Sequence, residues 1–507
     1  MTVISGILCL LAFTHAIDTP PTPAVVHDFG AVGNGTTLDT HAIQHGIDTL
    51  AHQGGGTLLF PPGTYLTGSI HLRSHVHLEL APGAVIKGSP NDADYDPYEL
   101  LTFENDSDKE TSFFHFALLW GEDVEDIAII GKGTIDGNRT KRGGPKPIAL
   151  KRCKNVLIRD ITIVNAPNYC ISMLGTDDVN IDGIRIRNAF CDGIDPDSCK
   201  NVRIANCDIQ SWDDAIVPKA SFSLGERRAT ENIVVTNCLL STACNAFKLG
   251  TESGGDFKRI AVSNCVVYAY PNNKLATSGI ALESVDGSNI DGVTVSNISM
   301  IGVETPIFLR LGNRGRDMET PVPGTVRNIT ISNITAVDAT RAALIMGIPN
   351  HAIENVTLTN LQLRFKGAGA IPLNIDVPED EAGYPDADNY GVIPAFGLYA
   401  RHASGLNLNN IDLSFDGKDS RPAVVFDDIQ DVRLTQFRST TASVPVMLFA
   451  NVQQLLLSGC NPAPLNSFVT VLGDKSDHIA LLGNDFSQVK KPVVFGNGAR
   501  KNAVHVD

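Results

Sequence analysis

The chain has 507 residues, 43% of them hydrophobic and 19% charged, which is enough apolar material for a sizeable core. Its formal net charge of −16 opposes nucleic acid and anionic membrane surfaces, so neither is an expected partner. An acidic substrate has to be met by local Arg or Lys against that field.

Residues 1–16, MTVISGILCLLAFTHA, have the pattern of a short signal peptide. The apolar run Ile4–Phe13 is too short to span a bilayer, and Ala16 is a small residue at a cleavage position. The expectation is a secreted protein, extracellular or periplasmic, and a monomer. Losing Cys9 with the peptide leaves nine of the ten cysteines, an odd number with no CxxC pair, so neither a complete disulfide framework nor a zinc site is expected. No metal and no cofactor are expected.

Asp39 or Thr40 can cap a helix over roughly Ala42–His52, with Ile43, Ile47 and Leu50 on one face and Gly54–Gly56 ending it. The segments TLLF, SIHL, VHLEL and AVIKG follow as short strands cut off by Gly or Pro. Residues 24–90 thus read as an N-terminal cap and first coils, the helix protecting the first sheet edge.

From about Asp126 the strands become periodic. Val156, Val179 and Val202 begin VLIRDITI, VNIDGIRI and VRIANCDI, a repeat of about 23 residues, and looser copies start at Ile233, Ile260, Val293, Ile329, Val356 and Leu406. Asn206, Asn237, Asn264, Asn297, Asn333, Asn360 and Asn410 recur at one place in these copies, as a hydrogen-bonded ladder at a turn requires. The sequons at Asn297 and Asn333 fall on that ladder and read as structural. Cys207, Cys238 and Cys265, and Cys153, Thr176 and Cys199, recur in register as small buried side chains. These features predict an all-β fold, a single-stranded right-handed parallel β-helix. It forms one domain over 24–505, with regular coils over 126–490 carrying a cleft.

The coil length makes a geometric statement about Cys191–Lys219. Asp192 precedes Asp213 by 21 residues and Asp214 by 22, about one coil, so the three carboxylates stack on one wall, with adjacent coils about 4.8 Å apart. Placing both Asp213 and Asp214 outward needs a bend. Mutual repulsion raises at least one pKa, giving the protonated and ionised pair that glycoside hydrolysis uses. Asp195 and Asp197, flanking Pro196, read as turn chemistry.

CDGIDPDSC followed by DDAI resembles the NTDGxDxxxC and DDC[IV] motifs of the polygalacturonase family of glycoside hydrolases, family 28. The opening DFGAVGNGTTLDTHAIQHGID and GGGTLLFPPGTYLTGSI resemble the N-terminal cap of this and related pectin-acting β-helices. The resemblance covers nearly all of the mature chain. It implies inverting hydrolysis of pectin-type plant cell-wall polysaccharide or oligosaccharide, with Asp213 as general acid and Asp192 and Asp214 activating water. Two of the family's motifs are missing. Asn245, in CNAF, stands where its G-H-G histidine belongs, and Ala281 and Glu283, in GIALES, stand where the Arg and Lys of R-I-K hold a sugar carboxylate. A glutamate there repels galacturonate, so a neutral sugar, or a uronate held differently, becomes a candidate substrate.

Lys219, Lys248 and Arg310 are the candidate replacements for substrate binding, alongside Asn245 and Glu283, with solvated rim charges as the alternative reading. Glu252, Asn313, Arg314, His351, Arg401 and His402 are weaker candidates. The insertions Asp92–Glu110 and Asp376–Ile393 can close one end of the groove, a pointer to exo action. Two other readings stay open: a polysaccharide lyase whose acids bind Ca²⁺, and a non-catalytic glycan-binding β-helix.

Overall fold

The computed structural model describes residues 23–370, 376–439 and 445–507. The apolar run Ile4–Phe13 lies outside them. The chain is wound into parallel coils, and each strand bonds to its counterpart in the coils before and after. The period read from the sequence is the register: Val156, Val179, Val202, Ile233, Ile260, Val293, Ile329, Val356 and Leu406 pair in succession. These side chains face inward and belong to one continuous core from Val26 to Val489. Among the described residues no helix is long and apolar enough to cross a membrane.

The first edge is covered by α1 (Thr40–His52), which buries Ile43, Ile47 and Leu50. A Cβ at Gly46 would stand 2.9 Å from Phe29 and 3.1 Å from Leu58, so glycine permits this close packing. Asp39 occupies the N-cap position, but its carboxylate does not cap the helix. It accepts instead from the Val32 and Gly33 backbone N–H groups at 2.7 and 3.0 Å, fixing the preceding turn.

The asparagine ladder has a backbone cause. Asn206, Asn237, Asn264, Asn297, Asn333, Asn360 and Asn410 all adopt the left-handed conformation, which Asn tolerates better than most residues. Each turn so made places an amide on the one below: Asn297 donates to Asn264 at 3.0 Å, and Asn333, Asn360 and Asn410 each donate to their predecessor at 2.9 Å. A second ladder, unanticipated, runs just ahead of the core column, with Asn201 donating to Asp178, Asn232 to Asn201 and Asn355 to Asn328. Cys207, Cys238 and Cys265 are buried, each thiol donating to the carbonyl two residues earlier.

One wall of the solenoid carries the chemistry. It comprises β1 (Ile171–Leu174), β2 (Ile194–Asp197), β3 (Asn245–Leu249), β4 (Ala276–Ser284) and β5 (Val303–Leu311). Between β2 and β3 the wall continues through Ile216, which bridges Ile194 and Phe247. Ile194, Ile216, Phe247, Ile280 and Ile307 point inward, so alternate positions point out.

Candidate active site

Because Ile216 pairs with Ile194, Asp192 and Asp214, each two residues upstream, reach the same height on neighbouring coils. The Gly193 N–H donates to the Asp214 carbonyl at 2.9 Å. A Cβ at Gly193 would lie 2.4 Å from the Ala215 carbonyl, so this approach of the two coils requires glycine. The bend needed at Asp213 is present. Ser211 Oγ donates to the carbonyls of Asp213 and Asp214 at 2.9 and 3.1 Å, and Thr242 Oγ1 also donates to the Asp213 carbonyl. An Asp213 carboxylate oxygen thereby lies within 4.8 Å of one on Asp192 and of one on Asp214.

The three acids occupy different environments. Asp192 is buried, and its Oδ2 accepts from Lys219 Nζ at 3.0 Å. Burial raises its pKa, Lys219 lowers it and the other aspartates raise it again, leaving it well above the ordinary carboxylate range. Asp214 is equally buried but better held: Lys248 Nζ lies at 3.1 Å, and Asn245 donates its backbone N–H at 2.9 Å and its amide at 2.8 Å. Against the desolvation that raises it, these partners bring Asp214 below its ordinary value. Asp213 is the acid that reaches solvent, its side chain 25% exposed, and Arg142 Nη1 pairs with it at 2.6 Å.

The cations expected at the substrate are turned to the acids instead. Lys219 binds Asp192, Asp195 at 2.9 Å and the Tyr169 hydroxyl at 2.8 Å, with its ammonium 4.0 Å from the Tyr169 ring centre. Lys248 sits between Asp214 and Glu283, 3.9 Å from the latter. Arg310 donates to the carbonyls of Gly347, Glu379 and Asp380. None of the three is a rim charge: each is at most 4% exposed, a burial their acidic or carbonyl partners make tolerable. Asn245 likewise holds Asp214. Lys219, Lys248 and Asn245 are therefore positioning groups, and Arg310 anchors an insertion. Glu283 is fully buried, and among the described residues neither carboxyl oxygen has a hydrogen-bond partner.

The turn reading of Asp195 and Asp197 is corrected. Both lie on β2 and are buried, and Pro196 sits within the strand, its carbonyl accepting from the Lys219 N–H at 3.1 Å. Asp195 shares Lys219 with Asp192, and Asp197 accepts from the Ser221 backbone N–H at 2.8 Å and from the Ser221 hydroxyl. Of the weaker candidates, Arg401 and His402 bind Glu379 of the second insertion, Arg314 pairs with Asp286, and His351 occupies an exposed turn. Five site residues went unread from the sequence: Tyr169, Arg142, Lys146, Tyr384 and Asp386. Two of them had a signal: Lys146 and Tyr169 stand at successive 23-residue steps, one coil each, ahead of Asp192.

Cys191 Sγ lies with the carboxylate oxygens of Asp192 and Asp213 in a group of metal-ligand size. Burial pushes that thiol well up, and a protonated thiol is a poor donor to a hard cation such as Ca²⁺.

Residues 101–374 match the profile of Glycosyl hydrolases family 28. The chain belongs to this family. Residues 24–94 match a second profile, rhamnogalacturonase A/epimerase, pectate lyase-like. The family 28 chain is 26% identical over 368 residues to a probable polygalacturonase of Vitis vinifera, an alignment covering 67% of this chain and 73% of that one. It is 26% identical over 405 residues to an exo-poly-alpha-D-galacturonosidase of Dickeya chrysanthemi, covering 64% of each. A solved exopolygalacturonase from Thermotoga maritima superposes with a TM-score of 0.60 at 24% identity, covering 68% of this chain and 88% of that one, and shares the right-handed β-helix fold. The protein is a glycoside hydrolase of the polygalacturonase type, built on a pectin-degrading fold.

Proposed function

We propose that this family 28 protein is a secreted, exo-acting glycoside hydrolase that cleaves pectin-type polysaccharide or oligosaccharide with inversion. The observation that carries the reading is the convergence of Asp192, Asp213 and Asp214 on one wall, each held differently. Asp213, the solvent-reaching acid, gives its proton to the glycosidic oxygen as the bond to the leaving sugar breaks. Asp192 and Asp214 hold the attacking water, whose oxygen bonds to the anomeric carbon. Asp192 accepts the water's proton, a role suited to a carboxylate whose proton affinity is raised by burial and by the neighbouring aspartates.

Exo action is supported by the second insertion, which lies across the wall beyond the acids. Its Tyr390, Ala387, Val377 and Ile393 pack with Phe308 and Ala281 of β5 and β4. Ala281, standing where the family has a basic residue, is thus part of a small apolar core beneath the insertion. Secretion is supported by the apolar run Ile4–Phe13 with its small residue at position 16.

One observation favours a second reading, retention. The nearest oxygens of Asp213 and its two neighbours lie within 4.8 Å, shorter than the roughly 6.5–9.5 Å separating the carboxyls of most inverting sites. Proton NMR of the anomer first released, over a panel of pectic, rhamnogalacturonan and neutral substrates, decides between them. The inverted anomer and mono- or disaccharide products are expected. First release of the retained anomer would overturn inversion, and a ladder of long oligomers would overturn exo action.

A further inference from the structure

Each coil bends as it enters the wall that carries the acids, and aromatic residues gather at that bend. Ala189 pairs with Ser211, Ser211 with Thr242 and Thr242 with Ala269 on successive coils. The residues that follow them, Phe190, Trp212, Ala243 and Tyr270, therefore stand in one column. Trp212 and Tyr270 are two coils apart, a backbone separation of about 10 Å. Their ring centres are nevertheless 5.6 Å apart, meeting edge to face at 84°. Ala243, between them, has no atom beyond Cβ, which leaves room for the rings to close over it.

The pair is held through its backbone. The Trp212 N–H donates to the Ala189 carbonyl at 2.9 Å, and Ser211 Oγ fixes the two carbonyls after Trp212. The Tyr270 N–H donates to the Lys274 carbonyl at 3.0 Å, closing a turn in which Asn272 and Asn273 adopt the left-handed conformation. Trp212 is still 52% exposed, while Phe190 and Tyr270 are half-buried. Other exposed rings have evident tasks. Tyr98 packs on Phe113 and Phe116 with ring centres at 5.0 and 5.1 Å, and Tyr384 lies 5.8 Å from Lys248 and from Arg314. A rigid indole left open beside a catalytic wall offers its apolar face to a ligand.

Its place decides which ligand. Trp212 immediately precedes Asp213, on the side away from Asp214 along the chain. Asp213 protonates the oxygen of the leaving sugar, whereas Asp192 and Asp214 hold the water, so a ring on this side of Asp213 faces the leaving sugar. The galactopyranose ring, in galactose and galacturonic acid alike, carries its C3, C4 and C5 hydrogens on one face, an apolar patch that matches an aromatic ring. We propose that Trp212, braced by Tyr270, is a stacking platform for the galactopyranose ring on the leaving-group side of the cleaved bond. The platform binds the ring face and sets specificity at that sugar. This inference rests on the hydrolase reading above.

The test has two arms, run on whichever of trigalacturonate, its methyl ester, galactotriose and a rhamnogalacturonan tetrasaccharide wild type cleaves. In the first, Trp212→Ala is expected to raise KM about tenfold with kcat within about threefold, and Trp212→Phe to recover most of the loss. Thermal unfolding serves as the folding control. The second arm keeps the indole in place and reads it directly. The chain has two tryptophans, Trp120 and Trp212. In Asp213→Asn, which binds substrate without turning it over, the oligosaccharide is expected to shift tryptophan emission to shorter wavelength and to protect it from iodide quenching. In Asp213→Asn/Trp212→Phe, which retains Trp120, both effects should vanish. A folded Trp212→Ala enzyme with wild-type KM, or emission unmoved by an oligosaccharide that wild type cleaves, would overturn the platform and leave the hydrolase reading standing. Cleavage of none of the four by wild type would overturn that reading and the platform with it.

Discussion

Lys219→Met removes the cation on which two buried carboxylates depend. Lys219 Nζ lies 3.0 Å from Asp192 and 2.9 Å from Asp195, and all three side chains are at most 5% exposed. At about 3 Å and an effective dielectric of ~20, each contact is worth about 5.5 kcal/mol of attraction, offset by a desolvation penalty of several kcal/mol per ion. The net cost of leaving a buried partner uncompensated is about 3–5 kcal/mol. Much of that is avoided if Asp192 takes up a proton, since Lys219 is the largest influence holding its pKa down. The acidic limb of kcat/KM against pH therefore moves upward. Urea unfolding and a pH–rate profile from pH 4 to 8 measure the two effects. A variant with wild-type stability and an unmoved limb would refute the claim that Lys219 sets the ionisation of Asp192.

Two predictions concern the scaffold and its buried charge. Asn333→Ala puts a Cβ-bearing residue without a local amide into the left-handed turn and breaks the bonds to Asn297 and from Asn360, so it should cost about 2 kcal/mol in urea unfolding, while Asn333→Gly recovers most of the backbone share. Lys146 is buried with its ammonium 3.7 Å from the Phe114 ring centre, and burial pulls its pKa from 10.5 to about 7 against the opposing pull of Asp195. Between those values the unfolded chain holds a proton that the folded chain has released, so this group makes stability rise with pH by up to ~1.4 kcal/mol per unit. Lys146→Met should remove that slope from melts between pH 7.5 and 9.5, and an unchanged slope would contradict the assignment.

The fold was readable because a solenoid repeats its local rules. Inward Val and Ile recur every coil, and the left-handed turns recur with Asn to make them. The second asparagine ladder was equally periodic, at Asn201, Asn232 and Asn355, but each lies near the start of a strand, one residue before its inward Val or Ile, where a polar residue attracts no notice. Asp192, Asp213 and Asp214 were readable for the same reason: one coil of spacing becomes one step along a wall. Asp195 and Asp197 were misread because Asp-Pro-Asp is a turn signal locally, and the force that straightens it is an ion pair to Lys219 in the next coil. Lys219, Lys248 and Arg310 were weighed as lone surface charges, although Lys219 falls 22 residues after Asp197, its register partner. Tyr384 and Asp386 left no trace in the repeat, since an insertion docks wherever its anchors find partners.

The most direct measurement of the central claim is kcat for Asp213→Asn on whichever pectic substrate wild type cleaves. Loss of a general acid predicts a fall of about 10²–10⁴-fold with KM little changed. The variant should keep wild-type thermal stability, since the substitution is isosteric at a side chain that reaches solvent. A folded Asp213→Asn protein that hydrolyses at the wild-type rate would contradict the assignment of the catalytic acid.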